Sequence, residues 1–151
     1  MKQVLFVDVR NATRSQIAEA WFNRLAGMRG KASSCGTLPA ERISTRAIQV
    51  MFEQGVDLSN KSPKPVTQRM LDQADIVVFM ESGIYPRTHS GIRLWDFQDP
   101  TAKPIDQVRE LRDQICRRVE QLIAEIAMED TVSTWVDWDR PLPMQLQQVW
   151  N

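Results

Sequence analysis

At 151 residues with 42% hydrophobic content, the chain is long enough for one domain with a sizeable core. Nineteen basic and nineteen acidic residues leave a formal net charge of +0, so bulk charge gives no support to nucleic-acid binding. No uninterrupted apolar run is long enough to span a bilayer, and Met1-Lys2 leads straight into an apolar segment without a signal peptide, so a cytoplasmic protein without membrane contact is expected.

The first element is the run Val4 to Val7, β-branched and aromatic, as suits a parallel strand covered on both faces. A polar loop follows: Asp8, Val9, Arg10, Asn11, Ala12, Thr13. The next segment carries Ile17, Ala20, Trp21 and Leu25 at helical spacing. Thr13 with Gln16 resembles a capping box, and Ser15 offers a second cap. Loop amides and the positive end of the helix dipole should therefore converge in front of the strand tip, which makes an anion site. Arg14 adds a planar fork suited to two oxygens of one tetrahedral anion.

Further along, a small-residue strand leads into Ser34-Cys35-Gly36-Thr37. Ser44 reads as an N-cap, Ile43 and Ile48 fit a hydrophobic staple, and Gly55 stops the helix between them. Pro63 and Pro65 mark a loop before a short helix from Thr67 to Gln73. Ile76 to Met80 reads as the third strand and Arg93-Leu94-Trp95 as a short fourth. Between them lies the single histidine, His89, in a segment that reads as a solvated loop. Val108, Leu111, Ile115, Val119, Leu122 and Ile126 form an apolar stripe with steps of three and four, the mark of a long helix. The order β-α-β-α-α-β-β-α implies a doubly wound, four-stranded parallel sheet with helices on both faces and a site at the carboxyl ends of its strands. The two cysteines, Cys35 and Cys116, have no metal spacing and read as free thiols. A domain is expected over residues 1–130. A C-terminal extension over 131–151 holds Trp135, Trp138 and Trp150, with Pro141 and Pro143. It reads either as packed back on the domain or as an anchor for a second copy.

The strand, the frame Asp8-x5-Arg14-Ser15 and the helix opening Ser15-Gln16-Ile17-Ala18-Glu19-Ala20-Trp21-Phe22 together resemble one family. They are similar to the strand, Cys-x5-Arg-Ser loop and helix of the low-molecular-weight protein tyrosine phosphatases and the related thioredoxin-coupled arsenate reductases. The resemblance extends to Ser34-Cys35-Gly36-Thr37, Thr45 through Leu58, Ala74 to Met80 and Trp95-Asp96-Phe97-Gln98-Asp99-Pro100, so it covers residue 3 to about 127. It implies the phosphotyrosine phosphatase I-like fold, with no cofactor. In such a frame Asn11 would order the loop, Arg14 would bind phosphoryl oxygens, Ser15 would support the nucleophile and Asp99 would protonate the leaving group. Arg10, Asn11, Ala12, Thr13, Arg14 and Ser15 would line the anion site.

The departures fall on the chemistry. Asp8 stands where the family has its nucleophilic Cys, and Arg10 where it has a loop glycine. Arg10 is therefore expected to disturb a turn that needs glycine's backbone freedom. Asp8 is expected to be ionised and to occupy part of the anion site itself. A carboxylate about 4 Å from a phosphate charge costs roughly 4 kcal/mol at an effective dielectric near 20, on the order of a thousandfold in affinity. An Arg10–Asp8 pair would offset part of this. A blander reading is a buried Asp8–Arg14 ion pair closing an old site. No second carboxylate lies beside Asp8 in sequence to hold a metal, and none is expected. The catalytic positions are thus Asp8, Arg14 and Asp99. The reading is a catalytically impaired pseudophosphatase with a remnant loop for phosphate or another oxyanion. The alternatives are an active phosphatase with Asp8 as nucleophile and an interaction module working through the tryptophan-rich tail.

Overall fold

The computed structural model describes residues 1–84 and 91–135, with side chains through 132. Four strands and four helices alternate: β1 (Lys2–Asp8), α1 (Arg14–Leu25), a 3-10 turn (Gly27–Arg29), β2 (Gly30–Gly36), α2 (Thr45–Phe52), α3 (Gln68–Gln73), β3 (Ile76–Phe79), β4 (Ile92–Leu94) and α4 (Ile105–Trp135). The sheet has the order β2-β1-β3-β4 and every pairing is parallel. The chain reverses its direction of travel across the sheet next to β1, and in open α/β sheets ligands bind at that switch point, outside the carboxyl ends of the strands.

Both faces of β1 are buried, which is why its sequence is continuously apolar. Val4 and Phe6 join the larger core with Ile17, Phe22, Val50, Ile115 and Val119 from α1, α2 and α4. Leu5 and Val7 turn the other way, to Cys35, Val77 and Phe79, with Met70 and Leu71 of α3 packed against them. Phe6 lies edge-on to Phe22 at 6.2 Å and tilted against Trp95 at 5.5 Å. Burying one such side chain is worth roughly 1.5–3 kcal/mol, so this core fixes β1 and α1, and hence the loop between them.

Local signals explain most element ends. The Ser44 side chain accepts from the Ala47 amide and the Thr67 side chain from the Met70 amide. Gly55, at φ +76, turns the chain after α2. Two expectations change. The inward face of α1 is Ile17, Ala18, Trp21 and Phe22, while Leu25, the last residue of α1, is 41% exposed. The fourth strand is Ile92–Leu94, one residue earlier than its sequence suggests. The last helix runs from Ile105 to Trp135. Trp138, Trp150 and the two tail prolines lie outside the described residues, as does His89. No described helix is long and apolar enough to cross a membrane.

Candidate functional site

β1 ends at Asp8 and α1 begins at Arg14, so Val9 to Thr13 make the whole turn. Its course is set by the segment after β2, which runs alongside it: Thr37 N donates to Asp8 O (3.0 Å), Leu38 N to Val9 O (2.8 Å), Ala40 N to Arg10 O (2.9 Å) and Ser44 N to Ala12 O (3.0 Å). Gly36 permits this approach. A Cβ there would sit 2.6 Å from Val9 O and 3.0 Å from Asn11 N.

Asn11 is the centre of the floor. It is fully buried and takes the left-handed conformation, φ 50, which Asn tolerates better than most residues. Its Nδ2 donates to Ser15 Oγ (2.8 Å) and Ser34 Oγ (2.9 Å). Its Oδ1 accepts from Gln16 Nε2 (3.0 Å) and Lys64 N (2.9 Å). Arg10 is not in the left-handed region, where the non-glycine residues described are Asn11, Asp96 and Ala102. The expectation that Arg10 stands where glycine is required is therefore corrected: the strained turn residue is its neighbour, and its side-chain bonds hold it there.

Asp8 closes the floor. One carboxylate oxygen accepts from Asn11 N (2.6 Å) and the other from Ser15 N (3.0 Å). The capping box expected of Thr13 does not form, since Thr13 is the N-cap without a side-chain bond. Asp8 takes over the role from seven residues upstream of Ser15, α1's second residue, and Gln16 turns to Asn11 instead. Burial pushes the Asp8 carboxyl above its ordinary range, against the pull of the Ser15 and Asn11 amides, the Ser15 hydroxyl and the Arg14 charge.

Neither ion pair considered for Asp8 forms. Arg14 Nη2 pairs with Glu81 Oε2 at 2.8 Å and its Nη1 donates to Phe97 O at 2.8 Å. Among the described residues, no bond or ion pair joins Arg10 to Asp8. Glu81 also accepts from Val9 N at 2.8 Å. Sequence reasoning missed this residue. The available signal was topological: Glu81 lies just past β3, the strand beside β1, and parallel strands bring their carboxyl ends together. Arg14 has five N–H donors, and these two contacts leave three for a ligand.

Above the floor lies a cavity of about 400 Å³ lined by Asp8, Arg10, Ala12, Thr13, Arg14, Arg42, Arg46 and Asp99 among others. Of the expected anion-site residues, Arg10, Ala12, Thr13 and Arg14 reach the cavity, while Asn11 and Ser15 lie beneath it. Among the described residues, no acceptor is found for the amides of Arg10, Ala12, Thr13 and Arg14, so the oxyanion donors of the loop are still open. Asp99 lines the same cavity, but Thr101 N (3.0 Å) and Thr101 Oγ1 (2.7 Å) donate to it. These bonds hold its carboxyl below the usual range. Neither cysteine lines the cavity. Burial pushes the Cys35 thiol up to about 12, and the half-buried Cys116 thiol is raised to about 11 by burial and its contact with Glu120. Among the described residues, no group of three or more His, Cys, Asp or Glu side chains gathers to hold a metal ion.

The chain is a doubly wound α/β domain with a loop of open backbone amides between its first strand and first helix. The sequence model described as low molecular weight phosphotyrosine protein phosphatase matches residues 3–132, and the chain belongs to that family. The glutaredoxin arsenate reductase of Synechocystis sp. is 33% identical over 132 residues, spanning 84% of this chain and 100% of that protein. Arsenate reductase 2 of Staphylococcus epidermidis is 32% identical over 124 residues, spanning 79% and 94%. A solved structure described as an arsenate reductase in the phosphate binding state has a TM-score of 0.77 and 31% identity, covering 83% of this chain and 99% of that one.

Proposed function

We propose that this chain is a phosphatase-fold protein that captures an oxyanion and does not turn it over. The observation that carries the reading is the position of Asp8: a buried carboxylate, with an amide on each oxygen, at the base of the loop, where the sequence resemblance implies a thiol. A thiolate acts as both nucleophile and leaving group in phosphoryl transfer. A carboxylate acceptor needs its charge compensated, commonly by a metal. Arg14 is shared with Glu81, and Asp99 releases its proton more readily than an ordinary carboxyl, which disfavours it as a general acid at neutral pH. Thiol-based arsenate reduction, the activity named for several relatives, is disfavoured by this chain's own residues, because neither Cys35 nor Cys116 lines the cavity and burial raises both thiols.

Capture is supported by what remains. Asp8 consumes the amides of Asn11 and Ser15 but leaves those of Arg10, Ala12, Thr13 and Arg14 open. A similar protein was solved in a phosphate binding state. The test is turnover of an aryl phosphate with and without magnesium, beside Asp8→Ala, together with calorimetric titration of phosphate. Binding without turnover is expected. Robust hydrolysis that vanishes in Asp8→Ala would replace this reading with an aspartyl-phosphate mechanism.

A further inference from the structure

We propose that the cavity takes a small, non-aromatic ligand carrying two or more anionic groups, of which inorganic diphosphate is the simplest probe. One group would sit on the loop amides and the next on Arg42 and Arg46. The inference rests on the oxyanion-capture reading above and names its ligand class.

Four observations carry it. First, the cavity is too large for one tetrahedral anion. Its volume of about 400 Å³ compares with about 30 Å³ for a water's share of the liquid. Second, cationic side chains outnumber anionic ones on its walls: Arg10, Arg14, Arg42 and Arg46 line it, against Asp8 and Asp99. Among the described residues, the guanidinium groups of Arg10 and Arg42 have no hydrogen bond or ion pair, and Arg46 uses one nitrogen on Lys103 O. Third, the arginines cannot drift far from the loop, because Ala40 N and Ser44 N bond to the carbonyls of Arg10 and Ala12 and so fix the backbone on both sides of Arg42. Fourth, among the described residues no aromatic side chain lines the cavity, so an aryl group would find nothing to stack on.

Electrostatics favour a spread-out ligand. Asp8 already takes the amides of Asn11 and Ser15 beneath the loop, so an anion there finds fewer donors. A ligand whose second group reaches Arg42 and Arg46 gains charge-assisted bonds beyond the loop. A single phosphate gains only the loop.

The experiment is calorimetric titration with phosphate, phenyl phosphate and diphosphate at matched ionic strength, since screening alone changes such affinities. Diphosphate should bind roughly tenfold more tightly than phosphate or better, the scale of one bond to a charged group. Phenyl phosphate should gain nothing over phosphate. In the Arg42→Ala, Arg46→Ala double variant the diphosphate preference should fall to within about twofold of unity, and in the double Lys variant it should persist in part. Circular dichroism and melting curves would show that each variant is folded. Equal affinities for phosphate and diphosphate, a preference for phenyl phosphate, or a preference indifferent to the double Ala variant would overturn the proposal. Asp8-dependent turnover would overturn the silent-site reading while leaving this affinity ratio standing, so the two failures are distinct.

Discussion

The floor of the loop and the rim of the cavity above it share a backbone but differ in bonding. Asp8, Asn11, Ser15, Gln16 and Ser34 are all buried, and bonds between them and to the Lys64 amide tie the floor together. Arg10 and Arg42 are exposed and have no such partners among the described residues. The difference follows from solvent access. A buried polar group without a partner costs more than the partnered bond returns, so folding satisfies most of the floor before any ligand arrives, Gln16 Oε1 being the exception. Exposed guanidinium groups are satisfied by water, which a ligand can displace. One region is specified by stability, the other is left to recognition.

Substitutions can break this contrast. The largest effect is expected at Asn11. Asn11→Ala would strand Lys64 N, remove the Nδ2 donor from the Ser15 and Ser34 hydroxyls and place an alanine at φ 50, while Gln16 Nε2 keeps the Asn11 and Ser62 carbonyls. A loss of about 3 kcal/mol is expected, from several unsatisfied groups at about 1–3 kcal/mol each with partial relaxation. Urea unfolding measures it, and a loss under about 1 kcal/mol would mean that the floor is not the ordered network described.

Gly36→Ala is next. Its Cβ meets backbone at 2.6 Å, which a side-chain rotation cannot relieve. About 2 kcal/mol is expected, in the range of overpacking penalties. Amide chemical shifts of Val9 to Thr13 should move with it. Unchanged shifts would show that the two segments are not held in contact.

The third effect is in pH dependence. Unfolded, the Asp8 carboxyl titrates near 3.8, and in the folded protein its pKa is raised. Between those values the native state binds more protons than the unfolded chain, so the contribution of Asp8 to stability is greatest below 3.8. It falls as pH rises through the folded pKa. The stability difference between the wild type and Asp8→Ala should therefore shift towards the wild type on acidification. A shift in the opposite direction would mean that the loop amides outweigh burial.

The smallest effect belongs to the rim. Arg10→Ala and Arg42→Ala should each leave stability within about 0.5 kcal/mol, while weakening anion binding. A larger loss of stability would place these arginines in the structural network and erase the contrast between floor and rim.

The strand β1, the α1 start and the parallel order were legible in sequence because each rests on local pattern: a continuous apolar run, a 3.6-residue stripe, turn residues between them. Asp8, Arg14 and Asp99 were grouped through the resemblance, and all three line one cavity. Glu81 was not, because it is distant in sequence and enters only where β3 pairs with β1. Arg42 and Arg46 escaped notice because nothing in an exposed arginine marks it until the backbone beside it is known.

By itself, then, the chain's pattern determined the layers and the location of the anion loop, since burial of alternating faces depends only on spacing. What carries the loop's charge was decided in three dimensions. Asp8 is bonded to amides rather than to Arg14 or Arg10, Arg14 is paired with Glu81, and the last helix continues past residue 130. Each depends on which long-range neighbour comes within about 3 Å, the reach of a hydrogen bond, and sequence separation does not encode that distance.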